Sequence, residues 1–174
     1  MENKKDVKAT DDSYSNLNDE NQIIEGERFI CFNVGKEEYA IPLLYMKEVI
    51  NRPETTRIPK SPAYFEGLMN LRGQVFSLLD LRKKMGATPM EDNEEESVVI
   101  LDLSGCVLGV LVDRVNQVLM VTDDMIQETI ERKKGKLSDY ITGCIQRDKD
   151  NLLFILDINK LLNVSAMLAR KNAA

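Results

Sequence analysis

From residue 28 onward, the chain consists of short apolar runs separated by turn residues, a pattern typical of strands in small barrels or sandwiches. The runs 28–34 and 38–41 flank a turn and predict one hairpin. A second predicted hairpin spans 67–79 and reverses at a glycine, which can adopt the positive φ of a tight turn. A short helix is predicted over 81–85, so the chain leaves the sheet at residue 80.

The second half of the chain repeats this order of elements. Its predicted strands are 98–103, 107–112, 118–121, 141–145 and 152–156. They correspond to those of the first half, where a further strand at 46–50 matches 118–121. Asp80 and Asp157 lie 77 residues apart, each directly before a short predicted helix, where aspartate is a favourable N-cap. Two copies of one hairpin-rich unit predict a mainly β fold, in which two small barrels with short helices pack on a shared core.

Changes in composition predict the domain boundaries. Residues 1–26 are polar and aperiodic, which predicts a disordered N-terminal tail. The folded part is predicted to span 27–164, with a first strand-rich repeat at about 27–88 and a second at 96–164. Residues 165–174 are predicted to form a C-terminal tail with some tendency to be helical.

The charge balance limits the classes of partner. A net charge of −6 and a pI of about 4.9 oppose binding to a phosphate backbone, so nucleic acid is not an expected partner. No apolar run approaches the ~20 residues of a membrane span, and the start lacks a signal-peptide pattern. We therefore expect a cytoplasmic protein without direct membrane insertion. The acidic run 91–96 and the basic cluster 132–136 are interpreted as solvated loops.

The residues needed for common catalytic chemistry are missing from the sequence. There is no histidine and no glycine-rich phosphate-binding motif, and the three cysteines (Cys31, Cys106 and Cys144) stand singly in apolar segments, as small core residues do. The candidates for paired-carboxylate chemistry are Asp80, Asp102, Asp113 and Asp157. Two of these are interpreted as helix caps and two as strand ends, so neither an enzyme nor a cofactor or metal site is expected. A barrel that binds a small ligand is a remote alternative, because the chain is poor in aromatic residues.

The tip of the hairpin 67–79 is the first candidate for a binding site. Asn70 and Arg72 lie at its rim, where a guanidinium on rigid strands loses little conformational freedom when a partner docks. The alternative interpretation is that Arg72 is a solvated turn residue without a binding role.

The residues around this tip resemble a known family. Asn70-Leu71-Arg72-Gly73, followed by Phe76-Ser77-Leu78-Leu79-Asp80-Leu81-Arg82, is similar to the signature of the CheW family of bacterial chemotaxis coupling proteins. Further blocks that resemble the family, in the family's order, are 29–35, 38–41, 56–59, 109–113 and 140–143. The resemblance implies two five-stranded barrels. It also implies a non-catalytic adaptor that couples membrane chemoreceptors to the histidine kinase CheA within receptor arrays.

The resemblance also implies which residues bind the partners. Matched position by position, the receptor-side contacts are expected near Met46, Glu48, Gly67 and Arg72 along a groove, with Asn70 and Gly73 shaping the tip. Val98, Gly109 and Val118 match further family positions in partner binding, although core packing is an equally good interpretation of them. The alternative within the family is a coupling protein of another CheA-type pathway, such as pili motility or gene control.

Overall fold

The computed structural model describes residues 26–88, 96–127, 137–148 and 151–166. The ten strands in these residues are β1 (Glu27–Val34), β2 (Glu37–Pro42), β3 (Met46–Asn51), β4 (Phe65–Leu71), β5 (Gln74–Asp80), β6 (Ser97–Leu103), β7 (Cys106–Val112), β8 (Arg114–Val121), β9 (Ile141–Gln146) and β10 (Leu152–Leu156). The helices α1 (Leu81–Met85) and α2 (Ile158–Leu162) follow β5 and β10, and short 3-10 turns cover Leu43–Tyr45, Asp123–Met125 and Ser138–Tyr140. The predictions for the tail 1–25, for most of the acidic run, for the basic cluster and for 167–174 lie outside the described residues.

The strands form two five-stranded sheets, so the predicted class of a mainly β fold with two five-stranded subdomains is confirmed. The strand order is β8-β1-β2-β10-β9 in the first sheet and β3-β6-β7-β5-β4 in the second. Both are open sheets rather than closed barrels. An isolated bridge between Thr56 and Leu68 brings the segment after β3 beside β4. A bridge between Gln127 and Cys144 likewise brings the segment after β8 beside β9.

The two sequence repeats exchange their first hairpins. The first sheet combines β1 and β2 of the first repeat with β8, β9 and β10 of the second, and the second sheet has the reciprocal composition. Pro42 ends β2, because it has no N–H for the ladder, and the 3-10 turn Leu43–Tyr45 then carries the chain into the other sheet. Each subdomain is therefore built from both halves of the chain.

Alternating side chains divide the interior into three apolar clusters. Along β1, Ile30, Phe32 and Val34 point toward a large core shared by the two sheets, whereas Phe29 and Cys31 point into a smaller core of the first sheet. The second sheet has its own small core, made of Met69, Leu78, Val98, Ile100 and Leu111. The shared core holds the two sheets together.

Matching caps begin both helices. The Asp80 carboxylate accepts a hydrogen bond from the Lys83 backbone N–H at 3.2 Å, and the Asp157 carboxylate accepts one from Lys160 N–H at 3.0 Å. These bonds satisfy N–H groups that the first turn of a helix leaves without partners. At the other end of α1, Gly86 has a φ of 69°, the left-handed conformation that commonly closes a helix.

An ionic network surrounds α1 and joins the two sheets. The nearly buried Arg82 guanidinium contacts Asp80, Glu96 and Asp113, and the other Asp113 oxygen accepts a hydrogen bond from Gly35 N–H of the β1–β2 turn at 2.6 Å. The expectation that the acidic run 91–96 is solvated is wrong at its last member. Glu96 also pairs with Arg52, and the hydrogen bonds from these two arginines outweigh its burial and lower its pKa.

Candidate functional site

The tip of the β4–β5 hairpin is a two-residue turn formed by Arg72 and Gly73. Both residues have positive φ, 52° and 83°, as a type I′ turn requires. The Asn70 side-chain oxygen accepts a hydrogen bond from Gly73 N–H at 3.0 Å and so fixes the turn from within. The left-handed conformation costs a non-glycine residue about 1–2 kcal/mol, so an arginine is not a favourable choice for the backbone here.

The Arg72 guanidinium projects from this turn into solvent and reaches the edge strand β3. Its Nη2 donates to the Glu48 carboxylate at 2.8 Å, while 76% of the Arg72 side chain remains exposed. A surface ion pair of this kind stabilises a protein by at most about 1 kcal/mol. Its main physical effect is to hold the guanidinium in one direction above the edge of the second sheet.

A second turn of the same construction lies at the same end of the second sheet. Ser104 and Gly105 between β6 and β7 have φ of 55° and 84°, and the Asp102 side chain accepts from Gly105 N–H at 2.9 Å. Serine there occupies the position that Arg72 occupies in the other turn. The fold therefore does not require a guanidinium at this position.

The tip of the β9–β10 hairpin differs from that of β4–β5. Arg147 at this tip forms an ion pair with Glu38 at 3.5 Å, and its side chain is largely covered. Gln117 on β8 is the counterpart of Glu48 on β3, because Gln117 lies opposite Cys31 of β1 and Glu48 lies opposite Ile100 of β6. When the Gln117 amide oxygen faces the guanidinium, it accepts a hydrogen bond from Arg147 Nη1 at 2.6 Å. In both repeats an arginine at the hairpin tip pairs with a glutamate on another strand, but only the arginine of the first repeat is mostly exposed to solvent.

The predicted site residue Gly67 is buried at a close approach of two backbones. Its φ is 141°, and a Cβ atom there would lie 2.4 Å from the Thr56 carbonyl oxygen. Thr56 and Leu68 exchange two backbone hydrogen bonds at 2.8 and 2.9 Å beside it. Gly67 therefore lets the segment after β3 pack on β4, and it offers a partner no side-chain contact.

Val98 and Gly109 lie beneath the hairpin rather than on the surface. The Val98 side chain is fully buried, and a Cβ atom on Gly109 would lie 2.6 Å from Met69 Cε and 2.9 Å from Val98 Cγ1. Met69 belongs to β4, next to Asn70, so these positions can affect the tip only through the packing below it.

Met46 and Val118 take different positions on the edge strands. Met46, the first residue of β3, is partly buried against the shared core. Val118 is half exposed on β8, which belongs to the first sheet and not to the sheet that carries Arg72. It lies opposite Ile30, whose side chain is in the shared core, so it continues that apolar face to the surface.

The sequence did not indicate Val49 on β3, which is the counterpart of Val118 on β8. Val49 lies opposite Val99 of the shared core and is 41% exposed, and Val118 in the other repeat is 50% exposed. Leu44, in the 3-10 turn between β2 and β3, is exposed as well. The sequence of β3 does not alternate apolar and polar residues, so Val49 could have been found only by recognising β3 as an edge strand.

Comparison with known proteins identifies the family. A model of the CheW-like domain matches residues 28–166. The chain belongs to the CheW-like domain family. It is 32% identical over 149 residues to chemotaxis protein CheW of Klebsiella aerogenes, with 86% of this chain and 89% of that protein covered. It is 33% identical to chemotaxis protein CheW of Helicobacter pylori, with 78% and 81% covered, and 32% identical to that of Bacillus subtilis, with 82% and 90% covered.

A solved CheW structure has the same fold. The crystal structure of scaffolding protein TtCheW from Thermoanaerobacter tengcongensis aligns with a TM-score of 0.68 at 24% identity, covering 78% of this chain and 92% of that one. The relatives that the chain matches are named as chemotaxis proteins and not as enzymes.

The described residues of this family member contain no metal-binding cluster. No group of three or more His, Cys, Asp or Glu side chains lies close enough to hold an ion there. One cavity of about 530 Å³ opens at the end of the first sheet, and its polar lining includes Asn33, Lys36, Glu38, Arg114, Arg147 and Asp148. Burial raises the pKa of the Cys31 thiol to about 11, so this cysteine stays protonated and unreactive. Within the described ranges, no helix has the length and apolar character of a membrane span.

Proposed function

We propose that the chain is a non-catalytic adaptor that couples chemoreceptors to the histidine kinase CheA, with Arg72 as the main contact on the receptor side. The observation that carries this proposal is the position of Arg72. Arg72 occupies a left-handed position of its turn, and in the equivalent β6–β7 turn a serine, Ser104, fills the same position. Most of the Arg72 side chain is exposed to water. A charged side chain that the fold does not need, on a rigid tip, is suited to bind another protein.

Glu48 supports this role as a positioning residue. By holding Arg72 Nη2 at 2.8 Å, it reduces the freedom that the arginine loses on binding, while the remaining N–H donors can meet a partner's carboxylate. Asn70 and Gly73 set the shape of the turn. Met46 anchors the start of the edge strand, and Gly67, Val98 and Gly109 hold the hairpin from below.

Exposed apolar residues provide the contact area that one arginine cannot. Val49 and Val118 extend the shared core to the surface from the second and the first sheet, and Leu44 is exposed on the turn that links the sheets. Val49 follows Glu48, the ion-pair partner of Arg72, on β3, and an apolar residue beside an arginine is typical of the centre of a protein interface. We propose that the cytoplasmic tip of a receptor packs along these residues.

A coupling protein must also be rigid, so that one partner senses the other through it. The shared core and the bridge from Arg82 through Asp113 to Gly35 fix the two sheets to each other. We propose that CheA binds a different face of this rigid body, and that the chain works in the cytoplasm, where it is recruited to receptor arrays at the membrane. Weak individual contacts suffice in an array, because neighbouring contacts raise the effective concentration.

Co-sedimentation of purified components tests the proposal. Receptor cytoplasmic fragments that form sedimentable assemblies are incubated with CheA, with and without the chain. We expect the chain to sediment with receptor alone and to increase the amount of CheA in the pellet. A chain that stays in the supernatant with both partners would contradict the proposal. The same assay with a CheA-type kinase of a pili or gene-control system distinguishes the alternative pathway, for which the same binding site is expected.

A further inference from the structure

The two repeats contribute edge strands that differ in how well they are protected. β3 forms one edge of the second sheet and β8 forms one edge of the first, and no strand in the described part of the chain pairs with the outer side of either. An open edge is a template on which another strand can pair, and proteins commonly block it with charged residues, prolines or bulges. Comparing β3 with β8 therefore shows which of the two edges is available to another chain.

The register of the sheets matches β3 with β8 residue by residue. At three matched positions β3 has the more polar or charged residue and β8 the more neutral or apolar one: Lys47 and Asn116, Glu48 and Gln117, Asn51 and Met120. β8 has one protective irregularity, because the pairing with β1 skips Asn116. Residues 117–121, which follow it, contain neither a charge nor a proline. β8 is thus the edge that lacks protection.

This segment of β8 also carries an apolar stripe. Val118 and Met120 are 50% and 43% exposed, and they point to the same face of the sheet because they are two residues apart. Leu119 points to the opposite face, where it packs on the small core of the first sheet. The segment therefore offers an open backbone edge and an exposed apolar face together.

The stripe is complementary to itself. When two antiparallel copies of β8 are related by a two-fold axis at Leu119, Val118 of each copy lies directly opposite Met120 of the other. An axis at Val118 would place Met120 opposite Asn116, and an axis at Met120 would place Val118 opposite Thr122. Every exposed apolar residue of the segment meets an apolar one only when the axis is at Leu119.

Charge favours the same antiparallel arrangement. The exposed Arg114 begins β8, and the exposed Asp123 and Asp124 follow its end. In antiparallel copies, the start of one strand lies beside the end of the other, so each arginine lies near the two carboxylates of the second copy. The two-fold axis produces this attraction twice.

We propose that two copies of the chain associate through antiparallel pairing of their β8 strands, which joins the two five-stranded first sheets into one continuous sheet. Pairing over five residues buries less than the about 1,200 Å² of a stable interface, so we expect a weak association with a Kd of about 0.1–1 mM. Such a contact matters where many copies are held close together, because proximity raises the effective concentration.

Sedimentation equilibrium of the full chain tests the association. We expect the average mass of the wild type to rise from 19.8 kDa toward twice that value as the concentration increases from about 10 µM to about 1 mM. Val118→Lys puts a charge on the open edge and should weaken the association at least about tenfold. Val49→Lys is the matched control at the corresponding exposed position of β3, and its association should stay within about twofold of the wild type.

Disulfide cross-linking tests the register. In Val118→Cys/Met120→Cys, each thiol introduced at Val118 faces the one introduced at Met120 in the second copy, with Cβ atoms about 4.5–5.5 Å apart, which is close to disulfide geometry. In either single variant the two introduced thiols are diagonal neighbours at about 7–8 Å, which is too far. We expect at least about fivefold more disulfide dimer from the double variant than from either single variant or from the wild type with its own three cysteines.

Three results would overturn the proposal. One is an average mass that stays at 19.8 kDa throughout the concentration range. Another is an increase in mass that is the same in Val118→Lys as in the wild type. The third is an equal yield of disulfide dimer from the single and double variants, since random collision or another register would then explain it. Circular dichroism and Tm values equal to those of the wild type show that the variants remain folded.

One consequence of the pairing rests on the proposed function. Val118 is among the residues proposed to meet a receptor, so a receptor fragment and a second copy exclude each other there. We expect an excess of receptor fragment to lower the yield of double-variant disulfide dimer at least about threefold. An unchanged yield while the fragment binds would remove Val118 from the receptor surface and leave the pairing of β8 supported. Absence of association without any receptor would overturn the pairing and leave the adaptor proposal unaffected.

Discussion

Reversing the charge at Arg72 separates its binding role from its structural role. In Arg72→Glu the ion pair with Glu48 is replaced by a repulsion, which for exposed groups costs about 1 kcal/mol or less. For a chain of this length such a loss lowers Tm by about 2–4 °C. Removing an arginine from the centre of an interface costs about 2 kcal/mol or more, which weakens the Kd about 30-fold or more.

The assay is a titration of the receptor cytoplasmic fragment, with thermal unfolding measured on the same samples. Ser104→Glu is the matched control, because it introduces the same charge at the same position of an equivalent turn at the same end of the sheet. We expect Ser104→Glu to bind the receptor within about twofold of the wild type, which corresponds to less than 0.5 kcal/mol.

A charge swap distinguishes a contact with the receptor from an effect of the internal ion pair. Glu48→Arg combined with Arg72→Glu restores an ion pair between β3 and the turn, and we expect it to regain most of the lost thermal stability. Because the charge presented to the receptor stays reversed, binding should remain weak. Receptor binding that recovers in the swapped chain, or that is unaffected by Arg72→Glu alone, would refute the contact role of Arg72.

Other positions give quantitative expectations. Gly109→Ala should destabilise the protein by about 1–3 kcal/mol in chemical denaturation, because the new methyl group overlaps Met69 and Val98. A loss below 0.5 kcal/mol would mean that this small core is loosely packed. Asp157→Asn should cost less than about 0.5 kcal/mol, since asparagine also caps helices, whereas Asp80→Asn should cost about 1–3 kcal/mol because it leaves the nearly buried Arg82 with one carboxylate fewer. Equal losses in the two would show that the charge of Asp80 does not matter. The pKa of Glu96 is lowered in the folded state from its ordinary value of 4.5, so ionised Glu96 stabilises the fold fully above pH 4.5. This stabilisation is lost as the pH falls through the lower pKa of the folded state. In Glu96→Gln the decline in unfolding free energy below that pH should therefore be shallower, and an unchanged slope would assign the acid sensitivity to other groups.

Local sequence patterns predicted the hairpins but not their arrangement. Alternation and turn residues located the strands to within a few residues, and the capping aspartates marked where both short helices begin. The exchange of hairpins between the repeats was not predictable, because each hairpin looks the same whichever sheet accepts it. What decides the exchange is contact between distant residues, such as the parallel pairing of β2 with β10.

In the candidate site too, local features were predictable from the sequence, whereas features that depend on distant contacts were not. The exposure of Arg72 followed from its place in a turn, whereas the buried positions of Val98 and Gly109 depend on β4 packing over β6 and β7. Val49 was missed because its exposure is a property of β3 as an edge strand. Glu96 was misjudged because its arginine partners are remote in sequence, 14 and 44 residues away.

Receptor-dependent control of the kinase is the most direct test of the coupling role. The rate of CheA phosphorylation is measured with receptor-containing membranes, with and without attractant, in the absence of the chain and in the presence of the wild type, Arg72→Glu or Ser104→Glu. We predict that attractant changes the rate only when the wild type or Ser104→Glu is present. An equal response to attractant without the chain, or with Arg72→Glu, would contradict the account.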